Sequence, residues 1–260
     1  MITPTPRSLL VVLAHPDDES FPIGGTLAKY AAEGVRVSLI CATRGEAGIP
    51  GLSPEATGQL RQRELRAAAA ALGLAEVRFL GYPDGQLAQA DPEDVIGQLV
   101  KAMGEIQPQA VITFGPDGIS AHPDHLAIHR FTTQAFDRAN LLGRLFYLAP
   151  SAATLQGCGV VPSQEVAGGP VAAIDVGDYL VTKVRAMQCH ASQKPPYLGP
   201  PEEEATRLTC HEYFTLVRPV EWQSDLTDLF EGLPSAAAMT PGRTAFYDQE
   251  TFVKAVSVSL

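Results

Sequence analysis

Cysteine is sparse and unpatterned. The four in 260 residues, Cys41, Cys158, Cys189 and Cys210, show no C-x-x-C spacing, so neither a disulfide framework nor a thiolate zinc site is indicated. A reducing, cytoplasmic setting fits that usage. Positive charge is short as well: 19 Lys and Arg against 29 Asp and Glu leave a formal charge of -10, which repels nucleic-acid phosphates and anionic membrane surfaces. Neither is an expected partner. No apolar run has the length of a membrane span, and the run near the N-terminus stops at His15 and the acids after it, too short for a signal peptide. A glycine-rich dinucleotide fingerprint is missing, since Gly24-Gly25 does not supply one. Internal repeats and low-complexity tracts are also absent.

What is present is ordinary globular composition, 45% hydrophobic and 18% charged, in a length that suits one large α/β domain with a late embellishment. Residues 9–14 form a continuous apolar run ending at His15-Pro16, as in a strand buried on both faces of a parallel sheet. A helix over 22–33 stops at Gly34, and Val35 to Cys41 reads as the second strand. The alanine-rich stretch from Pro54 to Leu72 is a helix closed by Gly73, followed by strand three at Val77 to Leu80. Asp91-Pro92 reads as an N-cap and first-turn proline for a helix to Ile106, before strand four at Ala110 to Phe114. A helix then runs from Leu126 to about Ala139, with further strands at Leu145 and at Val171 to Val176. The alternation predicts a Rossmann-like, doubly wound, mainly parallel sheet with helices on both faces. The whole of 1–260 is expected to be a single domain. Residues 8–150 would form its core, and 151–260 would add strands, loops and pocket or interface elements.

Two short segments concentrate unusual residues. Ala14-His15-Pro16-Asp17-Asp18-Glu19 follows strand one, and His122-Pro123-Asp124-His125 follows strand four. In a doubly wound sheet strands one and four are neighbours at the switch point, so both segments open into one crevice. A catalytic zinc takes about three protein ligands, imidazoles and a carboxylate, and leaves a place for water. His15, Asp18 and His125 supply that set, with Fe2+ or Co2+ as alternative metals. Asp17 is the natural general base, and His122 could steady the oxyanion or protonate the leaving amine.

With these residues in view, the chain resembles the LmbE-like family of zinc hydrolases, which includes the PIG-L-type N-acetylglucosaminyl de-N-acetylases and the deacetylases and amidases of low-molecular-weight thiol pathways. The resemblance covers most of residues 8–195. It rests on AHPDDE (Ala14 to Glu19) and HPDH (His122 to His125), supported by TRGEAG (Thr43 to Gly48), Arg61-x-x-Glu64-Leu65, PDG (Pro83 to Gly85) and HASQ (His190 to Gln193). It implies metal binding by His15, Asp18 and His125, base catalysis by Asp17, and charge stabilisation by His122 with Asp124 orienting it. It also implies sugar-hydroxyl contacts from Glu46, Arg61 and Asp84. Some thiol-pathway relatives carry Tyr two residues before HPDH, where this chain has Ser120, so their substrate is not carried over.

Plainer roles compete at several positions. His129 lies four residues after His125 and is the main rival ligand. His190 is either a pocket wall or a satisfied structural histidine, and His211 reads as structural. Glu202 to Glu204 read as a solvated loop, Arg61 and Glu64 as a possible surface helix pair, and Asp84 as possible turn chemistry. The expected activity is hydrolysis of the N-acetyl group of a small N-acetylglucosamine-containing molecule. Alternatives are an amidase acting on larger amides such as thiol S-conjugates, or a non-catalytic nucleotide-binding or sensing module. A homo-oligomer is possible.

Overall fold

The computed structural model describes residues 6–151, 171–193, 199–220 and 224–233. Strands are β1 (Ser8–Leu13), β2 (Arg36–Cys41), β3 (Glu76–Phe79), β4 (Ala110–Thr113), β5 (Arg144–Leu148), β6 (Val171–Asp175) and β7 (His211–Arg218). Between them lie α1 (Gly24–Ala32), α2 (Pro54–Leu72), α3 (Pro92–Ile106), α4 (Gly118–Ala121), α5 (Pro123–Ala139), α6 (Leu180–Cys189) and α7 (Pro201–Ala205). Every residue of β1 is buried, which is why its sequence is apolar without alternation. Ser53 caps α2 by accepting from Ala56 N–H, and Gly73 ends it in the left-handed region at φ 78°, open to glycine without a Cβ penalty. Asp91 caps α3 in the same manner, accepting from Glu93 N–H ahead of Pro92.

The strands form one sheet in the order β3-β2-β1-β4-β5-β7-β6. The first five run parallel, while β7 is antiparallel to both β5 and β6. The expected adjacency of strands one and four is observed: Leu9, Leu10 and Val11 pair with Ala110, Val111 and Ile112. The reversal of strand order at β1 leaves a crevice beyond the carboxyl ends of β1 and β4. No described helix is long and apolar enough to cross a membrane.

The later part of the chain departs from the sequence reading. Strand β7 was not expected, nor was helix α6, whose buried face of Leu180, Lys183, Val184, Ala186 and Met187 includes a lysine. That charge breaks the apolar periodicity by which a helix is recognised. Lys183 is tolerated because its Nζ lies 2.7 Å from Glu212 Oε1 of β7. Glu212 also accepts from Gly25 N–H (3.1 Å) and Thr26 N–H (2.7 Å) at the start of α1. The expected loop at Glu202 to Glu204 is instead part of α7, and Glu204 is buried, accepting from Gly199 N–H and pairing with Arg207. Residues 224–233, past the expected last strand, return to the core: Leu226 bridges Ala172, and Phe230 packs edge-on against Tyr30. The Gly/Pro-rich piece at 152–170 and the tail from 234 lie outside the described residues.

Candidate metal centre and active site

After β1 the chain turns through Ala14 to Phe21. Asp17 sits there at φ 108°, a conformation that costs a non-glycine residue on the order of 1–3 kcal/mol unless its surroundings fix it. Two groups do so. Glu19 accepts from Asp17 N–H at 3.0 Å. The buried Arg61 donates to Pro16 O (2.6 Å), Gly45 O (3.1 Å) and Asp17 Oδ2 (3.1 Å). Gly45 and Gly48 of the TRGEAG segment make room for that guanidinium, since a Cβ on either would lie 2.3 Å from Arg61 Nη1.

The second segment opens α5. His122 is its N-cap, with Nδ1 accepting from Asp124 N–H at 3.2 Å, so the ring proton of the neutral form belongs on Nε2. His125 places Nδ1 2.9 Å from Gly118 O and stacks on Phe114. Its Nδ1 donates to that carbonyl, and the lone pair on Nε2 faces the crevice. There Nε2 lies 3.1 Å from His15 Nδ1 and 3.4 Å from Asp18 Oδ1, with His15 Nδ1 3.7 Å from Asp18 Oδ2. Ligands at zinc–nitrogen distances of about 2.0–2.1 Å on a tetrahedron are separated by about 3.3 Å, so His15 Nδ1 and His125 Nε2 are spaced as two ligands of one ion, and Asp18 approaches each of them through a different oxygen. The group of metal-ligand size that these imidazoles form is His15, His122 and His125, and it does not include Asp18.

His15 turns its other nitrogen, Nε2, toward Asp84 Oδ1 (3.1 Å) and Asp124 Oδ2 (3.3 Å). These three also form a cluster of metal-ligand size. Both carboxylates, however, are occupied by backbone donors: Asp84 by Ala47 N–H, and Asp124 by Gly85 and Leu87 N–H. They act as acceptors that keep a proton on His15 Nε2 and leave Nδ1 for the crevice. This corrects one expectation, since the carboxylate of Asp124 orients His15. Toward His122 it is the Asp124 backbone N–H that points.

Charge balance in the cluster is reflected in its titration. Burial alone would lower the pKa of His15, but hydrogen bonds to Asp124 and Asp84 and the charge of Asp18 outweigh it and raise it from 6.5 to about 10. Burial, reinforced by Asp18 and opposed by Arg61 and His190, raises Asp17 to about 7. Despite burial, Asp84 falls to about 2 through its hydrogen bond and charge interaction with His15. His122 is lowered by burial and by His15 and His125. In the metal-free protein His15 therefore carries two protons at neutral pH. A cation binding Nδ1 is expected to release one, and its apparent affinity to rise about tenfold per pH unit below about 10. Calorimetry near pH 8, in buffers of different ionisation enthalpy, should count about one proton released; a count of zero would contradict the assignment.

The residues anticipated from sequence divide clearly. His15, Asp17, Asp18, Arg61, Asp84, His122 and His125 all line one open cleft of about 370 Å³, together with Ala47, Gly48 and Gly85. Glu46 does not line it, because its carboxylate turns to the N–H and Nε of Arg44. The side chain of His129 bonds Phe114 O and stands edge-on to Tyr147, apart from both metal-sized clusters. His190 is fully buried against Glu19, which decides between its two readings in favour of the structural one. His211 is exposed at the start of β7. Arg61 and Glu64 are no surface pair: both are buried, and Glu64 accepts from the N–H and hydroxyl of Ser192 in the HASQ segment. Aspartates occupy the turn after β1 where a phosphate-binding loop would have to be, and they repel phosphate.

His and Asp side chains gathered at the switch point of a doubly wound sheet are the donor types a metallohydrolase uses, and comparison with known proteins narrows the class. The PIG-L family model, GlcNAc-PI de-N-acetylase, matches residues 10–136. The 1D-myo-inositol 2-acetamido-2-deoxy-alpha-D-glucopyranoside deacetylase of Streptomyces avermitilis is 32% identical, the alignment covering 87% of this chain and 97% of that protein. The chain belongs to the PIG-L family. Among solved structures, the N,N'-diacetylchitobiose deacetylase of Pyrococcus horikoshii aligns with a TM-score of 0.62 at 23% identity, over 81% of this chain and 84% of its own. The 4-carboxy-2-hydroxymuconate hydratase of Pseudomonas putida aligns equally well, at 0.62 and 21% identity over 85% and 100%. The fold thus hosts more than one chemistry, and activity must be argued from the site.

Proposed function

We propose that the protein is a zinc-dependent N-deacetylase that hydrolyses the acetamide of a small N-acetylglucosamine-containing molecule, with His15, Asp18 and His125 as metal ligands. The observation that carries this reading is the approach of His15 Nδ1 and His125 Nε2 to 3.1 Å, with Asp18 reaching His125 Nε2 through Oδ1 (3.4 Å) and His15 Nδ1 through Oδ2 (3.7 Å), in one cleft with Asp17 and His122. The carboxylates of Asp17, Asp18, Asp84 and Asp124 give the cluster the negative excess that a divalent cation offsets. An N,N,O donor set suits zinc, and also Fe2+ or Co2+. When bound, the metal supplies a Lewis acid that polarises the amide carbonyl and eases deprotonation of water.

The rest is the work of this chain's side chains. Asp17 accepts a proton from the attacking water as the new C–O bond forms. Neutral His122, its Nδ1 occupied by Asp124 N–H, donates from Nε2 to the developing oxyanion. Asp17 then returns its proton to the amide nitrogen as the C–N bond breaks, giving acetate and an amine. Arg61 holds Asp17 in place, and with Glu46 turned away, Asp84, which accepts from His15 and Ala47 N–H, faces the cleft with its remaining acceptor capacity for a sugar hydroxyl. We read the chain as one domain because β5, β7 and β6 continue the core sheet.

The test is the metal content of wild type, His15→Ala and His125→Ala, alongside amine release from N-acetylglucosamine conjugates with and without chelator. Both variants are expected to lose metal and activity together. Full metal with no cleavage of any N-acetyl sugar would refute the substrate assignment, and no metal in the wild type would refute the centre itself.

A further inference from the structure

Two buried titratable side chains stand behind the cleft and take no part in the steps above. Glu19 and His190 are both 0% exposed, with His190 Nε2 2.6 Å from Glu19 Oε1. The hydroxyl of Ser20 donates to that same oxygen. The other oxygen, Oε2, accepts from Asp17 N–H. His190 follows α6, well beyond the 10–136 segment that the family model matches.

We propose that His190 is a positioning residue: through Glu19 it fixes the backbone of Asp17 in the turn that aims the Asp17 carboxylate into the cleft. The inference rests on the reading of Asp17 as base. Three observations carry it. The φ of 108° at Asp17 is unfavourable by itself and persists only if neighbours over-determine it. Arg61 grips the carbonyl before Asp17 and its carboxylate, whereas among the described residues Glu19 is the one partner of the Asp17 N–H, so the two hold different sides of the turn. Glu19 is fully buried, so its orientation is set by its hydrogen bonds, and His190 Nε2 at 2.6 Å with the Ser20 hydroxyl holds Oε1 while Oε2 faces Asp17 N–H. Among the described residues the Nδ1 of His190 has no hydrogen-bond partner, so the polar contact of this ring there is to Glu19. The arrangement ties the late helix α6 to the loop that bears the base.

The test uses His190→Leu and His190→Gln in metal-loaded and metal-free protein. His190→Leu is expected to lower kcat about 30- to 100-fold, the scale of a misplaced catalytic group. KM should stay within about threefold and metal stoichiometry should be full, as uniform binding is untouched. In the metal-free protein the amide resonance of Asp17 should shift and lose exchange protection. His190→Gln, which retains a donor toward Glu19, is expected to recover most of the lost kcat. Wild-type kcat in folded His190→Leu, a loss that Gln fails to restore, or an unaltered Asp17 amide each overturns the inference. If His190→Leu does not fold, Glu19→Gln, which keeps the shape and replaces one acceptor oxygen by an NH2 donor, is read against the same expectations. Asp17→Asn separates the two levels: full activity there refutes the base assignment, whereas an inactive Asp17→Asn beside an active His190→Leu refutes only the positioning role.

Discussion

Replacing Asp17 by Asn is expected to lower kcat for amide hydrolysis by about 10²- to 10⁴-fold, the range that a positioned general base contributes, while metal content stays at the wild-type level. The substitution isolates the proton-transfer role. Asn tolerates positive φ better than most residues, so the turn at φ 108° survives, and the N–H bond to Glu19 is a backbone bond that the change does not touch. Arg61 keeps the carbonyls of Pro16 and Gly45. The side chains of His15, Asp18 and His125 are unaltered. Stability moves in the opposite direction to activity. In the metal-free protein Asp17 binds its proton more tightly folded, near 7, than its ordinary 3.8. The contribution of that proton to stability is therefore complete below about pH 4 and is lost as pH rises through about 7. Metal-free Asp17→Asn should escape that loss and melt higher than wild type above neutrality. Steady-state kinetics with metal analysis decide the first point and melting curves across pH the second. Activity within threefold of wild type at full metal loading would remove Asp17 as the base.

The parts of this molecule that could be read from sequence are those where one physical signal dominates. β1 is apolar from Leu9 to Leu13 because both faces are covered, and α2 and α3 announce their ends through Ser53, Gly73 and Asp91. AHPDDE and HPDH stood out because three of the six histidines fall there, and the β1–β4 pairing brings them together as the doubly wound order requires. Polar burial was what sequence concealed. Lys183 and Glu212 look like surface residues until each is seen to satisfy the other, and they sit on the helix and strand that went unforeseen. Glu46, Arg61 and Asp84 were grouped as sugar contacts, but their separate destinations depend on loop geometry with no sequence period: Glu46 faces Arg44, Arg61 faces the Asp17 turn, and Asp84 faces His15. The role of His190 depends on a contact with Glu19 across 171 positions, which no local pattern encodes.

The largest stability effect is expected at Glu212. Glu212→Ala should destabilise the fold by about 3–5 kcal/mol, the cost of removing one partner of a buried ion pair, and Lys183→Met should cost less. Both side chains are nearly inaccessible, at 3% and 5%, so truncating Glu212 strands the Lys183 ammonium without water. It also releases Gly25 N–H and Thr26 N–H at the start of α1, where Ile23 offers no side-chain cap. Glu212 is thus the cap of α1 delivered from β7, and the partial positive charge of the helix start contributes to holding it. That asymmetry sets the order of the two variants. Lys183→Met leaves the carboxylate two backbone donors and a favourable dipole, whereas Glu212→Ala leaves an ammonium with nothing comparable. Urea denaturation at matched m-values measures both. Equal losses would mean that the ion pair alone matters, and a greater loss for Lys183→Met would refute the capping role. Since α1 follows directly on the Ala14 to Phe21 turn, and a metal binds only the folded site, saturating metal should raise the stability of both variants by a similar increment. A much smaller increment for Glu212→Ala would show that this clamp also shapes the metal centre.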